Sequence, residues 1–347
     1  MNDIVITMSQ ADSSFLAAVL DWGINLIKIV QSIQSPFLTA FMKGISFIGT
    51  EYFYIFFGLF IFWCWNEKRA FPLGLLIIVS GWVNSFFKVL FNLPRPFEFE
   101  PGLGLAFEST RAFPSGHAQN SMTFWIAAAF FLTIIYVKEK KALDRFKFLI
   151  WGIAAIIILL IGFSRIYLGV HFPTDVFGGW ITAAIILLLF YLLYKPAAAF
   201  LAKAGKRFEF IFAAAAALLM NALLPGDTSL SGLLLGFCAG YSLMKMKFPF
   251  SAQAAINGKQ PRPMILCIRF VLGAAGAAII YIGLKFIFPG EGSLFEGPAL
   301  EPYYQLGRFI RYGLLGLWAS AGAPRLFINF NLAACEAGTA ASEPEEK

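Results

Sequence analysis

The sequence predicts an all-α fold, a polytopic membrane helix bundle, and three observations support this class. The chain of 347 residues is 59% hydrophobic and only 14% charged, whereas soluble domains contain about 25% charged residues. It contains nine or ten apolar runs, each of roughly 17 to 25 residues, the length that a helix needs to cross a hydrocarbon core. The charged residues fall mostly in short stretches between these runs. We therefore expect an integral, multi-pass membrane protein.

Composition also argues against several functions. The net charge of +7 does not predict a nucleic-acid partner, because the basic residues lie in short loops rather than along one soluble face. The cysteines show no paired spacing and are expected to be free thiols with no metal or redox role: Cys64, Cys238, Cys267 and Cys335. No cleavable signal peptide is expected, since the first basic residue is Lys28.

The chain divides in order into five segments. We predict an N-terminal helix that spans the membrane or lies in its interface (1–35), a membrane core (36–194), a basic cytoplasmic linker (195–207), a further four-helix membrane region (208–327) and a disordered tail (328–347). Within the core, a short apolar helix runs from Pro36 to Gly49. Spans are predicted at about 51–66, 72–92, 117–137, 147–165, 173–194, 209–224, 229–246, 264–288 and 303–327.

The distribution of positive charge predicts the orientation of these spans. If the spans alternate, four basic loops fall on one side, which the positive-inside rule assigns to the cytoplasm: Lys68 and Arg69; Lys138, Lys140, Lys141, Arg145 and Lys147; Lys195, Lys203, Lys206 and Arg207; Lys245, Lys247, Lys259 and Arg262. The opposite side has an acidic loop with Glu291, Glu296 and Glu301. Arg308 and Arg311 do not fit this distribution of charge, because they lie at the outer end of the last predicted span. The two loops that contain the histidines also fall on this opposite side, so we expect the candidate site to face outward.

Three polar segments interrupt the apolar runs of the core. The first, 88–96, contains Lys88 and Arg95, which are seven residues apart and would share one helix face if the helix continued that far. Pro94 and Pro96, however, predict that the helix ends before Arg95. The second, Pro-Ser-Gly-His at 114–117, places Ser115 as a helix cap, and Gly116 allows backbone N–H groups to approach an anion.

The third segment runs from Ser164 to Asp175 and places ionisable groups where lipid-facing sequence should have none. Such groups at membrane depth indicate a functional site. Arg165 ends one span, while His171 and Asp175 precede the next, and Pro173 suits the first turn of that helix. His117 and His171 are the only two histidines of the chain.

Together the three segments offer the groups that phosphoryl transfer requires. Lys88, Arg95 and Arg165 could each meet the charge on the phosphoryl oxygens. Asp175, four residues after His171, could accept the N–H of one ring nitrogen and leave the other free to attack phosphorus. His117 is then the general acid that protonates the leaving oxygen, and later the base that activates water.

The pattern Lys-x6-Arg-Pro, Pro-Ser-Gly-His, Ser-Arg-x5-His-x3-Asp closely resembles the three-part signature of the type 2 phosphatidic acid phosphatase family, over residues 36–194. The resemblance implies a six-helix core, to which about four C-terminal helices are added here, and a metal-independent lipid phosphatase with a phosphohistidine intermediate. It implies phosphate binding by Lys88, Arg95, Ser115, Gly116 and Arg165, and catalysis by His117, His171 and Asp175. No cofactor or metal is expected.

Several alternatives stay open at this point. The favoured function is hydrolysis of a lipid phosphomonoester or diphosphate at the extracytoplasmic face of the plasma or inner membrane; the alternatives are a lipid phosphotransferase that uses the same site, and a lipid or solute transporter. Candidate substrates are polyprenyl diphosphate, phosphatidic acid, phosphatidylglycerol phosphate and sphingoid phosphate. The oligomeric state is not predicted. The charged residues between the first two motifs are expected to belong to a solvated loop: Glu98, Glu100, Glu108 and Arg111.

Overall fold

The fold is almost entirely helical, as predicted. A computed structural model describes residues 10–134, 145–256, 260–288 and 301–335. The helices of its first half are α1 (Gln10–Gln31), α2 (Pro36–Ile48), α3 (Glu51–Phe60), α4 (Glu67–Phe91), α5 (Pro96–Phe99), α6 (Gly116–Thr133) and α7 (Arg145–Tyr167). Those of its second half are α8 (Pro173–Ala204), α9 (Lys206–Leu223), α10 (Ser229–Lys247), α11 (Pro263–Ile287), α12 (Glu301–Leu317) and α13 (Ala323–Asn329).

Four helical segments are long and apolar enough to cross a membrane among the described residues: Glu67–Phe99, Phe146–Tyr167, Pro173–Ala204 and Pro263–Ile287. A fifth is possible if Pro36–Ile48 and Glu51–Trp65, which are bent by 50° at a short break, form one span. Large apolar side chains cover the outside of these helices, such as Ile181, which is 61% exposed on α8. Such a surface suits lipid rather than water.

The described residues form two compact units, and the boundaries between them fall inside α3, α4 and α8. The first unit comprises residues 1–53 and 83–186, and the second comprises residues 54–82 and 187–347. In the first unit, α7 packs against α1, α2 and α6. All the predicted site residues belong to this unit.

In the second unit, α10 packs against α9 and α12. Glycines permit the close approach of α10 and α12, because a Cβ on Gly236 would lie 1.8 Å from the carbonyl oxygen of Gly313. Two short strands, β1 (Phe250–Ser251) and β2 (Ala334–Cys335), pair antiparallel. The guanidinium of Arg269 is fully buried and donates hydrogen bonds to the carbonyl oxygens of Ala252 and Leu332, at 2.8 Å each.

The structure adds detail to one predicted segment and corrects another. The basic linker 195–207 is helical except at Gly205, because alanine and lysine favour helix; Gly205 itself adopts a φ of 93° between α8 and α9. The tail predicted to be disordered from 328 is ordered as far as Cys335, since Phe327 and Ala333 are buried and β2 pairs with β1.

Other predictions fall on parts of the chain outside the described residues. These are most of the polar N-terminal stretch, the basic loop residues Lys138, Lys140 and Lys141, Lys259, the acidic residues Glu291 and Glu296, and the tail beyond residue 335. Arg308 and Arg311, which broke the charge pattern, make local contacts in the second unit. Arg308 forms an ion pair with Asp227 at 2.9 Å, and Arg311 donates to the carbonyl oxygen of Phe288 at 2.9 Å. The four cysteines are free, as predicted.

Candidate active site

The turn between α7 and α8 arranges the third motif. Arg165 lies in the last turn of α7, His171 lies in the turn, and Asp175 lies in the first turn of α8, which begins at Pro173 as predicted. The turn requires Gly169, whose φ is 66° and where a Cβ would lie 1.9 Å from the carbonyl oxygen of Leu103. The glycine therefore allows the chain to bring His171 back towards the other motifs.

The two ring nitrogens of His171 have different partners. Nδ1 lies 3.2 Å from Oδ2 of Asp175, and Nε2 lies 3.2 Å from Nη1 of Arg95. A guanidinium can only donate, so Nε2 must accept and the ring proton must be on Nδ1, donated to Asp175. Oδ2 of Asp175 also accepts the N–H of Phe172 at 2.9 Å, which orients the carboxylate. In this tautomer the ring's in-plane lone pair is on Nε2, where it accepts the hydrogen bond from Arg95.

His171 is almost fully buried, with 1% of its surface exposed, and it lies in the turn outside the spanning segments. Burial lowers its pKa well below the usual range of histidine, and the positive charges of Arg95, Arg165 and Lys88 act in the same direction. Each of these effects disfavours the imidazolium form. His171 is therefore neutral, the form that a nucleophile needs.

The second motif begins α6. Ser115 is its N-cap, as predicted, and its Oγ accepts the N–H of Ala118 at 3.4 Å. Sequence reasoning missed Asn84, a buried residue of α4 whose Nδ2 donates to the carbonyl oxygen of Pro114 at 3.1 Å and to Oε1 of Gln119 at 2.9 Å. An asparagine within an otherwise apolar span is the sequence signal that could have identified it.

His117 lies in the first turn of α6 and within electrostatic reach of the same cations. The charges of Arg165, Lys88 and Arg95 act on its imidazole, and His117 lies near enough to influence His171 electrostatically. Its ring also packs close to α2 and α3, because a Cβ on Gly49 would lie 3.1 Å from its Cδ2. The structure thus brings the two histidines into one cationic cluster.

Lys88 and Arg95 of the first motif both reach this cluster, although they do not lie on one continuous helix. Because α4 ends at Phe91, Lys88 and Arg95 do not share a helix face, and Arg95 instead precedes α5 as its N-cap. Nζ of Lys88 donates to Oγ1 of Thr110 at 3.2 Å and to the carbonyl oxygen of Arg111. Arg95 donates from Nε to the carbonyl oxygen of Thr110 at 2.5 Å and from Nη2 to its Oγ1 at 3.1 Å.

Of the charged residues between the first two motifs, Glu98, Glu100 and Arg111 have side chains that are 42–48% exposed, as expected for a solvated loop, whereas Glu108 is only 28% exposed. Glu108 forms an ion pair with Nη2 of Arg165, whose Nη1 donates to Oγ of Ser46. Glu100 forms an ion pair with Lys28 at 2.8 Å. The side chains of Glu98 and Arg111 lie 3.6 Å apart. Ser46 and Thr110 carried no sequence signal, because each lies outside the three motifs.

The charge of the cluster suits an anion. Among the described residues, no group of three or more His, Cys, Asp or Glu side chains could hold a metal ion. Arg95 and Arg165 are buried, at 1% and 3% exposure, and Lys88 adds a third cation. Preorganised cations of this kind can stabilise the charge that spreads over a transferring phosphoryl group.

Two family models match the chain. Residues 69–199 match the PAP2 superfamily, and residues 228–335 match the model described as PAP2 superfamily phosphatase, transmembrane extension. The second match covers helices that contain none of the three motifs.

Similar proteins are membrane phosphatases. Phosphatidylglycerophosphatase B of Bacillus subtilis is 35% identical over 169 residues, which cover 46% of this chain and 75% of that protein. Undecaprenyl-diphosphatase of Sulfolobus acidocaldarius is 26% identical, over 47% of this chain and 73% of that protein. A crystal structure of a transmembrane PAP2-type phosphatidylglycerolphosphate phosphatase from Bacillus subtilis has 29% sequence identity and a TM-score of 0.44, and the match covers 51% of this chain and 87% of that one.

Proposed function

The chain belongs to the PAP2 superfamily of membrane phosphatases, and from this premise we propose that it hydrolyses a lipid phosphomonoester or diphosphate through a phosphohistidine on His171. The observation that carries the proposal is the hydrogen bonding of His171. Asp175 accepts from Nδ1 and Arg95 donates to Nε2. Nε2 is therefore an orientated nitrogen whose lone pair would attack phosphorus once Arg95 donates to the phosphoryl oxygens instead.

The first step forms one bond and breaks another. Nε2 of His171 attacks phosphorus, and an N–P bond forms while the bond from phosphorus to the lipid oxygen breaks. His117 gives its proton to that departing oxygen. Lys88, Arg95 and Arg165 bind the phosphoryl oxygens. The hydroxyl of Ser115 and the backbone N–H groups of Gly116 and His117, at the start of α6, donate to the same anion.

The second step restores the enzyme. His117, now neutral, takes a proton from water, the resulting oxygen attacks phosphorus, and the N–P bond breaks as inorganic phosphate forms. Asp175 stabilises the imidazolium character that develops on His171 during attack. The proposal needs no metal, because side-chain cations supply the charge stabilisation.

The site would face the extracytoplasmic side of the plasma or inner membrane. This orientation is supported by the basic loops predicted on the other side. The names of the relatives suggest phosphatidylglycerol phosphate and undecaprenyl diphosphate as the first substrates to examine.

Phosphate release from purified protein tests the proposal. With phosphatidylglycerol phosphate, phosphatidic acid and undecaprenyl diphosphate in mixed micelles, we expect release by the unaltered chain from at least one of them. His171→Ala should lower the rate by about 10³-fold or more, whereas Cys335→Ser, which changes an exposed thiol, should leave it unchanged. Undiminished release by His171→Ala would contradict the proposed nucleophile.

Chelation tests the absence of a metal step. EDTA in excess, added to protein purified without divalent cations, should leave the rate of phosphate release within about twofold of its starting value, since Lys88, Arg95 and Arg165 supply the positive charge. Loss of activity that returns on adding Mg²⁺ or Zn²⁺ would show that the catalytic centre includes a metal.

A further inference from the structure

One short segment contacts all three cations of the site. Glu108 pairs with Arg165, while the hydroxyl and carbonyl of Thr110 and the carbonyl of Arg111 accept hydrogen bonds from Lys88 and Arg95. The segment Glu108–Arg111 therefore supplies oxygen atoms to the same donors that the proposed function assigns to the phosphoryl group. Both sets of oxygens cannot use the same donors at once.

The charges explain why an acidic residue is useful at this position. Arg165 is 3% exposed, and a buried cation is unfavourable unless an anion or hydrogen-bond acceptors compensate it. Asp175 is directed towards His171. Glu108, which is partly exposed at 28%, provides an anion that can compensate Arg165 between turnovers and can still move towards solvent.

Arg165 has one buried nitrogen without a hydrogen-bond partner among the described residues. Nη1 donates to Ser46 and Nη2 to Glu108, whereas Nε is buried and has no partner among the described residues. Nε and Nη2 form one edge of the guanidinium, which can bind two oxygens of a single anion. Glu108 offers one carboxylate oxygen to Nη2, whereas a tetrahedral phosphoryl group could offer one oxygen to Nη2 and another to Nε.

We propose that Glu108 is a positioning residue that competes with the phosphoryl group for Arg165: the substrate displaces its carboxylate, and the carboxylate returns as inorganic phosphate leaves. The inference rests on the proposed function and assigns a role to a residue outside the three motifs. Its consequence is a weaker hold on the product, because every bound phosphate must replace an existing ion pair.

Inhibition by inorganic phosphate tests the competition. Glu108→Gln removes the competing charge and keeps the shape of the side chain. The inhibition constant for inorganic phosphate should therefore fall by about tenfold, equivalent to about 1.4 kcal/mol. The KM for the lipid substrate should fall as well. Glu108→Asp, which keeps the charge, should restore most of the difference. The matched control is Glu100→Gln, which removes a carboxylate whose ion pair is with Lys28 and should leave both constants unchanged.

A purely structural role for Glu108 would give the opposite sign. Loss of a supporting ion pair would loosen Arg165 and raise the inhibition constant. An unchanged or higher constant in Glu108→Gln, with the unaltered enzyme active and dependent on His171, would overturn the inference but not the proposed function. Inactivity of the unaltered enzyme on every lipid phosphate would count against the proposed function instead.

A measurement on the unaltered chain tests directly whether an oxyanion displaces the Glu108 carboxylate from Arg165. It does not require that any variant folds. A water-soluble carbodiimide with an amine nucleophile labels accessible carboxylates, and peptide mass spectrometry reports each site. Tungstate, a tetrahedral oxyanion, should raise labelling of Glu108 severalfold and leave labelling of Glu100 unchanged. Equal or lower labelling of Glu108 with tungstate would show that the carboxylate stays on Arg165, and would overturn the inference.

Discussion

At the scale of single residues, the site depends on which atoms of His171 are in contact with which partners. The carboxylate of Asp175 lies 3.2 Å from Nδ1, and the guanidinium of Arg95 lies 3.2 Å from Nε2. Arg95 therefore has two effects in the proposed mechanism. It binds the phosphoryl group, and its charge helps to keep the buried imidazole neutral.

The pH dependence of Arg95→Gln tests the second effect. Protonated His171 cannot attack, so activity falls as pH decreases through its pKa, which burial and the nearby cations lower. Removal of one cation favours protonation, so the acid limb of the kcat/KM profile should move to higher pH. The value of kcat/KM should also fall by about 10²-fold or more, because an oxyanion-binding donor is lost.

Arg111→Gln is the matched control for this experiment. The Arg111 side chain is half exposed and lies 3.6 Å from Glu98, so its neutralisation should leave the acid limb in place. An acid limb that stays fixed or moves to lower pH in Arg95→Gln would contradict the electrostatic role of Arg95.

At the scale of elements, the contact between α6 and α8 brings the second and third motifs together. Gly179 lies one turn after Asp175 on α8, and a Cβ there would lie 2.7 Å from the carbonyl oxygen of Ser115 and 3.1 Å from the backbone nitrogen of Gln119. The hydrogen bond from the N–H of Ser115 to the carbonyl oxygen of Asp175, at 2.9 Å, fixes the same contact.

Gly179→Ala tests this contact. The added methyl group meets backbone atoms that cannot rotate away, so α6 and α8 must separate, and the protein should lose about 1–3 kcal/mol in stability. Because His117 and His171 lie on the two sides of this contact, kcat should also fall by about tenfold or more. Thermal unfolding in detergent and phosphate release measure the two effects.

Gly152→Ala is the comparison for this substitution, because a Cβ on Gly152 of α7 meets nothing within 4 Å. It should be neutral or stabilising by up to about 1 kcal/mol, as expected for glycine to alanine in a helix. Equal effects of the two substitutions would show that the close approach of α6 and α8 is unimportant.

At the scale of the whole molecule, the membrane determines which end of each helix meets which compartment. Helix α7 has 23 residues, a length of about 35 Å at 1.5 Å per residue, enough to cross the hydrocarbon core. Lys147 lies near its start and Arg165 in its last turn. The two ends of α7 therefore belong to opposite sides of the membrane, with the site at the Arg165 end.

Cysteine labelling in intact cells tests this orientation. In a chain whose four free cysteines are replaced by alanine, Ser109→Cys, in the exposed part of the site loop, should react with a membrane-impermeant maleimide before lysis. Lys147→Cys should react only after lysis, because the basic loop is predicted to be cytoplasmic. Protection of Ser109→Cys and labelling of Lys147→Cys in intact cells would invert the proposed topology.

Much of the candidate site could be predicted because its residue types are unusual in an apolar sequence. Histidine, arginine and aspartate are unfavourable at membrane depth, so the stretch from Ser164 to Asp175 is conspicuous without coordinates. Ser46 and Thr110 were missed because small polar residues are common in membrane helices and loops, where they bond locally or to neighbouring helices. Only their partners distinguish them.

The sequence by itself determined the class of fold, the three motifs and the helix ends at Ser115 and Pro173, because hydrophobic run length, capping and proline geometry act over a few residues. Only the tertiary structure decided that Arg95 meets Nε2 of His171, that Asn84 holds the second motif, and that Glu108 pairs with Arg165. The physical reason is that a hydrogen bond between residues far apart in the chain depends on how the helices pack, and no local pattern of residues encodes that distance.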